Sequence, residues 1–176
     1  MNIFYIDESP LESARMQCDK HVVKMILESA QMLCTAHRVC EGTEVKVTSQ
    51  NGRRIKSWEV SGEDNDVLYK ATHPYHPSTV WARTYADNYQ WLYSHFASLC
   101  KEYTYRYGRT HLSETRLMTA LAHCPLNVPA GRSRIALAMP SKFKEINVVK
   151  AYRKYYISKT ETIDMRWTRR PRPEWI

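Results

Sequence analysis

Glycine is scarce in this chain of 176 residues, and the few glycines form no phosphate-binding motif. There are five, and neither a G-x-G-x-x-G pattern nor a Walker-type loop occurs. Because glycine lets a backbone turn tightly around a phosphate, this scarcity argues against nucleotide-binding sites of the Rossmann and P-loop kinds. It also argues against a turn-rich β-sandwich, so the sequence favours helices.

Long apolar runs and cysteine motifs are missing as well. No run approaches the ~18 apolar residues of a membrane span, and the first residues lack the basic and apolar regions of a signal peptide. We therefore expect a cytoplasmic protein with no membrane partner. The five cysteines, at positions 18, 34, 40, 100 and 124, include no C-x-x-C pair. We expect them to be reduced and mostly buried, and we expect neither a metal nor a cofactor, because no standard ligand spacing occurs.

The residues that are abundant point to a polyanionic partner. Lysine and arginine number 26 against 18 acidic residues, which gives a formal charge of +8. That balance favours nucleic acid over an anionic membrane. Twelve tyrosines and five tryptophans against three phenylalanines suit a wet contact surface. The oligomeric state stays open.

The residue pattern predicts a mainly α protein, a single compact helical domain over 1–176 with a small β-hairpin insertion over 43–62. The hairpin prediction rests on Asn51-Gly52 between two short apolar runs. Predicted helices cover 10–39 as one helix or a pair, 79–107, 113–122, and a last segment from Ser141 or Glu145. Ser9, Ser78 and Ser113 are the predicted caps. Residues 124–139 read as a loop and 165–176 as a basic aromatic tail.

The first candidate site lies on the helix predicted over Cys18–Arg38. At about 100° per residue, one narrow arc holds the polar residues Gln17, His21, Lys24, Glu28, Gln31 and Thr35. The opposite side carries Met16, Val22, Val23, Ile26, Leu27, Ala30, Leu33 and Cys34. His21 can act as a general base, Lys24 as a nucleophile, and Glu28 can orient either one. The alternative is an ordinary solvated helix side.

Two further segments are candidate nucleic-acid contacts. His73 and His76 in a His-Pro-Tyr-His-Pro turn can meet an anion, and Arg83 can bind a phosphate through two hydrogen bonds. The alternative for this segment is a pair of rigid His-Pro turns before a core helix. The tail residues Arg166, Trp167, Arg169 and Arg170 combine charge with stacking surface. Its alternative is a tail that packs its tryptophans on the body.

Several of these segments resemble small uncharacterised proteins of tailed bacteriophages. The resemblance covers nearly the whole chain. It is carried by the opening, Cys18 to Arg38, His73-Pro-Tyr-His-Pro-Ser-Thr-Val-Trp-Ala-Arg83, Lys101-Glu-Tyr103 and Pro173-Glu-Trp175. It implies a phage protein that works in the cytoplasm of the host cell, and it carries little chemistry with it.

The chain also resembles the endonuclease V type of pyrimidine-dimer DNA glycosylases, which are small, basic, helical phage proteins. The resemblance places Lys20 and Lys24 among DNA-contacting residues and His21 where that family has its catalytic glutamate. Two features differ. The glutamate is unmatched unless Glu28 replaces it, and Met1 precedes Asn2, a large residue that hinders the methionine removal on which the family's α-amine nucleophile depends.

Together these observations lead to one main hypothesis and two alternatives. The main hypothesis is a DNA-acting enzyme with glycosylase or lyase-like chemistry at the glycosidic bond. Lys24 or the Met1 amine would attack C1′, His21 would handle protons, and Glu28 would stabilise the sugar cation. Lys20, Arg83 and the arginines of the tail would hold phosphates. The alternatives are a non-enzymatic nucleic-acid-binding accessory protein and an enzyme that acts on free nucleotides.

Overall fold

Two long helices and the short segments packed on them make up most of the fold. The computed structural model describes residues 1–49 and 51–176. Its elements are α1 (Pro10–Arg15), α2 (Asp19–Glu41), β1 (Thr43–Thr48), β2 (Arg54–Glu59), α3 (Asp64–Val67), α4 (Pro77–Ala82), α5 (Ala86–Tyr107), α6 (Leu112–Leu117) and α7 (Val148–Ile157). Two 3₁₀ turns, Ser141–Phe143 and Ser158–Glu161, flank α7. The predicted fold class, mainly α with a small hairpin, is confirmed.

The core lies where α2 packs against α5, with α1 on α5 and α4 on α2. Met25, Ile26 and Leu33 of α2 are fully buried there. The N-terminal segment also runs through the core, since Ile3 and Ile6 have no exposed surface. Among the helices that the structure describes, none is long and apolar enough to cross a membrane.

The region predicted as a helix or helix pair is a pair, α1 and α2. Ser9 caps α1 and Pro10 is its first residue, as predicted. The chain is extended at Cys18. There the backbone N–H donates to the hydroxyl of Tyr156 at 2.8 Å instead of to a helical carbonyl. The tyrosine of a distant helix thus satisfies a donor at the start of α2.

The prediction of one helix over 79–107 is wrong, because the chain bends at Arg83–Tyr85 and splits it into α4 and α5. The first amides of α5 donate to the loop over 124–139: Ala86 N–H to the Pro129 carbonyl and Asp87 N–H to the Gly131 carbonyl. These carbonyls cap α5 from outside. Local periodicity cannot detect this, because the partners lie more than 40 residues away.

Histidines, not the predicted serines, cap α4 and α6. The Nδ1 atom of His76 accepts the Ser78 N–H at 3.2 Å, and that of His111 accepts the Ser113 N–H at 3.1 Å. Both serines are buried inside the first turn. Accordingly α6 covers 112–117 and not 113–122. The last helix, α7, begins after both predicted starts, with Asn147 as its cap.

The hairpin prediction is confirmed by the antiparallel pairing of β1 and β2. Lys46 pairs with Lys56 and Val47 with Ile55. Gly52 adopts the left-handed conformation that such a turn requires, with φ of 72°. Gln50, in the predicted turn region, lies outside the described residues.

Arg38 and Gly42 fix the base of the hairpin to α2. Arg38 is fully buried, and its five N–H groups meet five oxygens. These are the carbonyls of Tyr69, Trp58, Asn65 and Leu68 and the side-chain oxygen of Asn65, all within 2.6–2.9 Å. At Gly42 a Cβ atom would lie 2.5 Å from the Arg38 carbonyl and 2.9 Å from that of Glu59.

Candidate functional site

Two amino groups and a backbone amide lie close to the carboxylate of Glu28. Its Oε2 accepts the Asn2 N–H at 2.8 Å and lies 4.0 Å from the amino group of Met1. Its Oε1 lies 3.5 Å from Nζ of Lys24, one turn earlier on α2. The Glu28 side chain is only 14% exposed, whereas that of Lys24 is 66% exposed. We call Met1, Lys24 and Glu28 the amine–carboxylate cluster.

The N-terminal segment is held firmly against this cluster. The Asn2 side chain is the anchor: its Oδ1 accepts the amides of Ile3 and Phe4, and its Nδ2 donates to the Ala138 carbonyl at 2.9 Å. The Met1 sulfur accepts a hydrogen bond from the Thr79 hydroxyl of α4. These contacts fix the position of the Met1 amine before any ligand arrives.

His73 and His76 border the cluster. Burial lowers the pKa of His76, and the positive charges of the Met1 amine and His73 lower it further, while Glu28 acts in the opposite direction. Because His76 Nδ1 accepts the Ser78 amide, the neutral ring carries its proton on Nε2. His73 is exposed, and its Nδ1 pairs with the Thr72 hydroxyl at 2.8 Å. The two imidazoles thus offer polar contacts beside the amines.

His21 faces the interior, so it does not share an open polar row with Lys24 and Glu28. It is 4% exposed, stacks 4.7 Å from the Phe4 ring, and its Nδ1 lies 2.8 Å from the Tyr156 hydroxyl. Burial lowers its pKa to about 4, with further contributions from Lys24 and Lys159. At neutral pH it is therefore an uncharged imidazole.

The predicted apolar side of α2 is also partly wrong. Val23 and Leu27 are 38% and 42% exposed, whereas Thr35 of the predicted polar arc is fully buried. Thr35 is buried because α4, α5 and α6 all contact α2, so neighbouring helices cover more than one side of it. Of the predicted polar row, the structure brings Lys24 and Glu28 together and leaves Lys20 exposed near them.

Arg83 lies at the end of α4, where Nη1 donates to the Thr79 carbonyl at 3.0 Å. Thr79 in turn contacts Met1, so Arg83 belongs to the same region of the molecule as the cluster. Its side chain is partly exposed, and its second terminal nitrogen makes no contact with a described residue within hydrogen-bonding distance.

The tail packs on the body, and three of its predicted contact residues have partners there. Arg170 makes a bidentate pair with Glu102, at 2.8 and 3.0 Å, and the Trp167 indole donates to the Met16 carbonyl at 2.9 Å. Arg169 donates to the Tyr105 carbonyl. Arg166, 78% exposed, pairs with Asp164. The tail is therefore mainly a structural strap in this conformation.

A buried ionic network, which sequence reasoning missed, holds this strap. Arg106 of α5 bonds to Glu102 and to Asp19, each at 2.8 Å. Although burial raises the pKa of Glu102, hydrogen bonds from Arg170 and Arg106 lower it overall. The same balance applies to Asp19, with Thr168 and Arg106 as donors. The i,i+4 spacing of Glu102 and Arg106 was the available sequence signal.

Open clefts occur at two other places. One of about 280 Å³ is lined by Tyr5, Trp81, Arg132 and the start of α7. A second of about 420 Å³ lies between α1 and the tail, beside Arg15 and Trp175. In the described part of the chain, no group of three or more histidine, cysteine or acidic side chains is placed to hold a metal ion.

Comparison with family models, with curated proteins and with solved structures finds no match to this chain. The class of protein is therefore described from its fold and from the amine–carboxylate cluster alone. It is a mainly α protein in which the first residues of the chain are pinned against a helix-borne glutamate.

Proposed function

We propose that this protein is a phage-encoded, DNA-acting enzyme that cleaves the glycosidic bond of a base with an amine nucleophile. One observation carries the proposal: the Met1 amine and the Lys24 ammonium converge on the half-buried carboxylate of Glu28. Amines attack sugar carbons to form imines, and a carboxylate stabilises the oxocarbenium-like sugar that develops. The net charge of +8 supports a polyanionic substrate.

The Met1 amine is the better nucleophile of the two. Lys24 is 66% exposed, whereas the contacts of Asn2 with Glu28 and of Thr79 with the Met1 sulfur hold Met1 in place. The neutral nitrogen bonds to C1′ while the bond from C1′ to the base breaks, and the base leaves with that electron pair and takes up a proton. As the sugar ring opens, the C1′–O4′ bond breaks. The nitrogen loses two protons in all, one to the departing base and one to O4′, which leaves an imine.

The other predicted residues take supporting roles. Lys20, His73, His76 and Arg83 hold phosphates around the cluster, with exposed Arg166 and Arg169 extending the basic surface. Trp167 and Arg170 position the tail. His21 acts as a neutral hydrogen-bonding group, because its pKa of about 4 keeps it uncharged at pH 7.

Borohydride trapping with site mapping tests this proposal. The wild-type protein is incubated with undamaged, ultraviolet-irradiated, uracil-containing, hydroxymethylated and abasic duplexes, reduced, and digested for mass spectrometry. We expect a covalent adduct on the N-terminal peptide. Glu28→Gln is expected to lower the rate of adduct formation at least 100-fold on an intact base. Lys150→Ala, at an exposed lysine of α7, is the matched control.

The outcomes separate the alternatives. An adduct on Lys24 that Lys24→Ala abolishes would keep the enzyme and change its nucleophile. The absence of any adduct, with salt-sensitive binding to every duplex, would overturn the proposal in favour of a DNA-binding accessory protein. Displacement of the duplex by mononucleotides would instead favour an enzyme that acts on free nucleotides.

A further inference from the structure

Most side chains of the hairpin of β1 and β2 are open to solvent, although Trp58 is buried on the face that also carries Lys46 and Lys56. Among its strand residues, only Trp58 is buried. Val47 and Ile55, opposite each other, are 37% and 47% exposed. A sheet of two strands that packs so little of its surface on a core gains little stability from burial. Its exposed side chains are therefore available to a partner.

The strand register sorts these side chains into a basic face and an apolar face. Lys46 pairs with Lys56, and Thr48 pairs with Arg54 on the same side. The other side carries Val45 with Ser57 and Val47 with Ile55. Like charges placed directly across a strand pair are destabilising. Glu44 offsets this only at Lys56, at 2.9 Å, and Lys46 makes no ion pair with a described residue.

The basic face reaches the turn that carries His73 and His76. The Lys56 ammonium lies beside the hydroxyl of Tyr75. Tyr75 is 69% exposed and belongs to the turn between His73 and His76. That turn borders Met1 and Glu28. Tyr75 therefore links the hairpin to the turn whose His76 feels the charges of Met1 and Glu28.

We propose that the hairpin is a β-ribbon that enters the major groove of duplex DNA, with Lys46, Lys56 and Arg54 meeting the phosphates. The inference rests on the proposed function, because it takes DNA as the partner. A two-stranded ribbon fits the major groove, which is about 12 Å wide. Ribbon insertion would set the register of the duplex over the cluster.

Salt-dependent binding of the double variant Lys46→Gln, Lys56→Gln tests the inference. Affinity for a 20-base-pair duplex is measured by fluorescence anisotropy across salt concentrations. The slope of log K against log salt is negative. Loss of two phosphate contacts is expected to make it less steep by about 1.8. Lys101→Gln, Lys150→Gln is the matched control at two exposed lysines on α5 and α7. Circular dichroism checks that each variant folds.

Dimethyl sulfate footprinting locates the ribbon. We expect wild type to protect guanine N7 atoms, which lie in the major groove, and the hairpin variant to lose that protection. An RNA duplex should bind at least tenfold more weakly, because its major groove is too narrow for a ribbon. An unchanged salt slope, unprotected N7 atoms, or equal binding of RNA would each overturn the inference.

This test is independent of chemistry at the glycosidic bond. If trapping fails while the hairpin variant shows a shallower salt slope and no footprint, DNA binding by the hairpin is supported and the proposed enzymatic activity is rejected. If trapping succeeds while the hairpin variant binds like wild type, the enzyme stands and the ribbon does not. A second reading of the lysines is that they keep free strand edges from pairing with another chain. Under that reading the variant would dimerise in sedimentation experiments and bind DNA normally.

Discussion

At the scale of single residues, Arg38 shows how a buried charge is accommodated without a counter-ion in contact. Its five donors point at four backbone carbonyls and one amide oxygen, drawn from β2 and from the segment that follows the hairpin. Two of these hydrogen bonds, to the carbonyls of Trp58 and Leu68, are buried. One side chain of α2 therefore joins β2 and the segment around α3 to the helical body.

We expect Arg38→Met to lower the free energy of unfolding by at least about 3 kcal/mol, because several buried acceptors lose their donor. Urea denaturation measures the loss. Arg116→Met is the matched control: Arg116 also donates to two carbonyls, those of Val67 and Asp66, but from an exposed position. Its cost should stay below about 1 kcal/mol. Equal effects of the two substitutions would contradict this account of Arg38.

Residue roles were the hardest feature to predict from the sequence. Lys24 and Glu28 were predicted to meet, and they do, because helical spacing alone brings i and i+4 side chains together. His21 was assigned to the same polar row, but Phe4 and Tyr156 cover it. Neither of those partners is near His21 in helical register, so local periodicity carried no information about them.

At the scale of elements, the tail behaves as a strap across α2 and α5. Asp19 at the start of α2 accepts hydrogen bonds from the Thr168 amide and hydroxyl. Glu102 of α5 holds Arg170 and Arg106 at once. The strap therefore depends on carboxylates that belong to the two longest helices. Arg170 of the tail is paired with one of them, Glu102.

Glu102→Gln is expected to loosen the tail while leaving the helical core folded. The amide cannot balance two guanidinium groups, so Arg106 retains only Asp19 as an acidic partner. We expect a loss of about 2–4 kcal/mol in unfolding free energy. Amide hydrogen exchange over 165–176 should become at least tenfold faster. Glu161→Gln, at an exposed glutamate, should change neither quantity, and unchanged exchange in Glu102→Gln would refute the strap.

Elements were predictable where their signals are local. The Asn51-Gly52 turn defined the hairpin, and Ser9-Pro10 and Gly108 marked helix ends that the structure has. The split between α4 and α5 was missed because carbonyls of a distant loop cap α5. The histidine caps were missed because serine is the commoner cap, and both serines instead lie buried one position inside the first turn.

At the scale of the whole molecule, burial lowers the pKa of several histidines and favours their uncharged form. Burial lowers the pKa of His95 to about 4, as it does for His21. His95 Nε2 lies 3.2 Å from the Gln17 amide nitrogen and Nδ1 lies 3.0 Å from the Pro10 carbonyl, an arrangement that fits one ring proton. Burial also lowers the pKa of the capping residues His76 and His111.

Stability should therefore fall as the pH is lowered from about 6.5 towards 4. In this window the unfolded chain binds protons that the folded protein does not, so the unfolding free energy decreases with decreasing pH. The loss is on the order of 3 kcal/mol for each of His21 and His95. Urea denaturation at pH 7, 6, 5 and 4 measures it.

The same pH series distinguishes the buried histidines from exposed ones. His95→Gln should remove about half of the pH dependence, because His21 still titrates differently in the two states. His123→Gln, at an exposed histidine, should leave the dependence unchanged. Below about pH 4 the carboxylates Asp19 and Glu102, with their lowered pKa values, add a second loss. A flat profile between pH 7 and 4 in wild type would contradict the neutral assignment.

Gly42 carries a consequence for how relatives of this protein are to be compared. Any larger residue there would drive a methyl group into two backbone carbonyls, which cannot move aside as a flexible side chain can. We therefore expect only glycine at this position, although its φ of −87° is one that any residue can adopt. An alignment would show an invariant glycine beside the hairpin, and that invariance would record the close approach of two chain segments and no ligand.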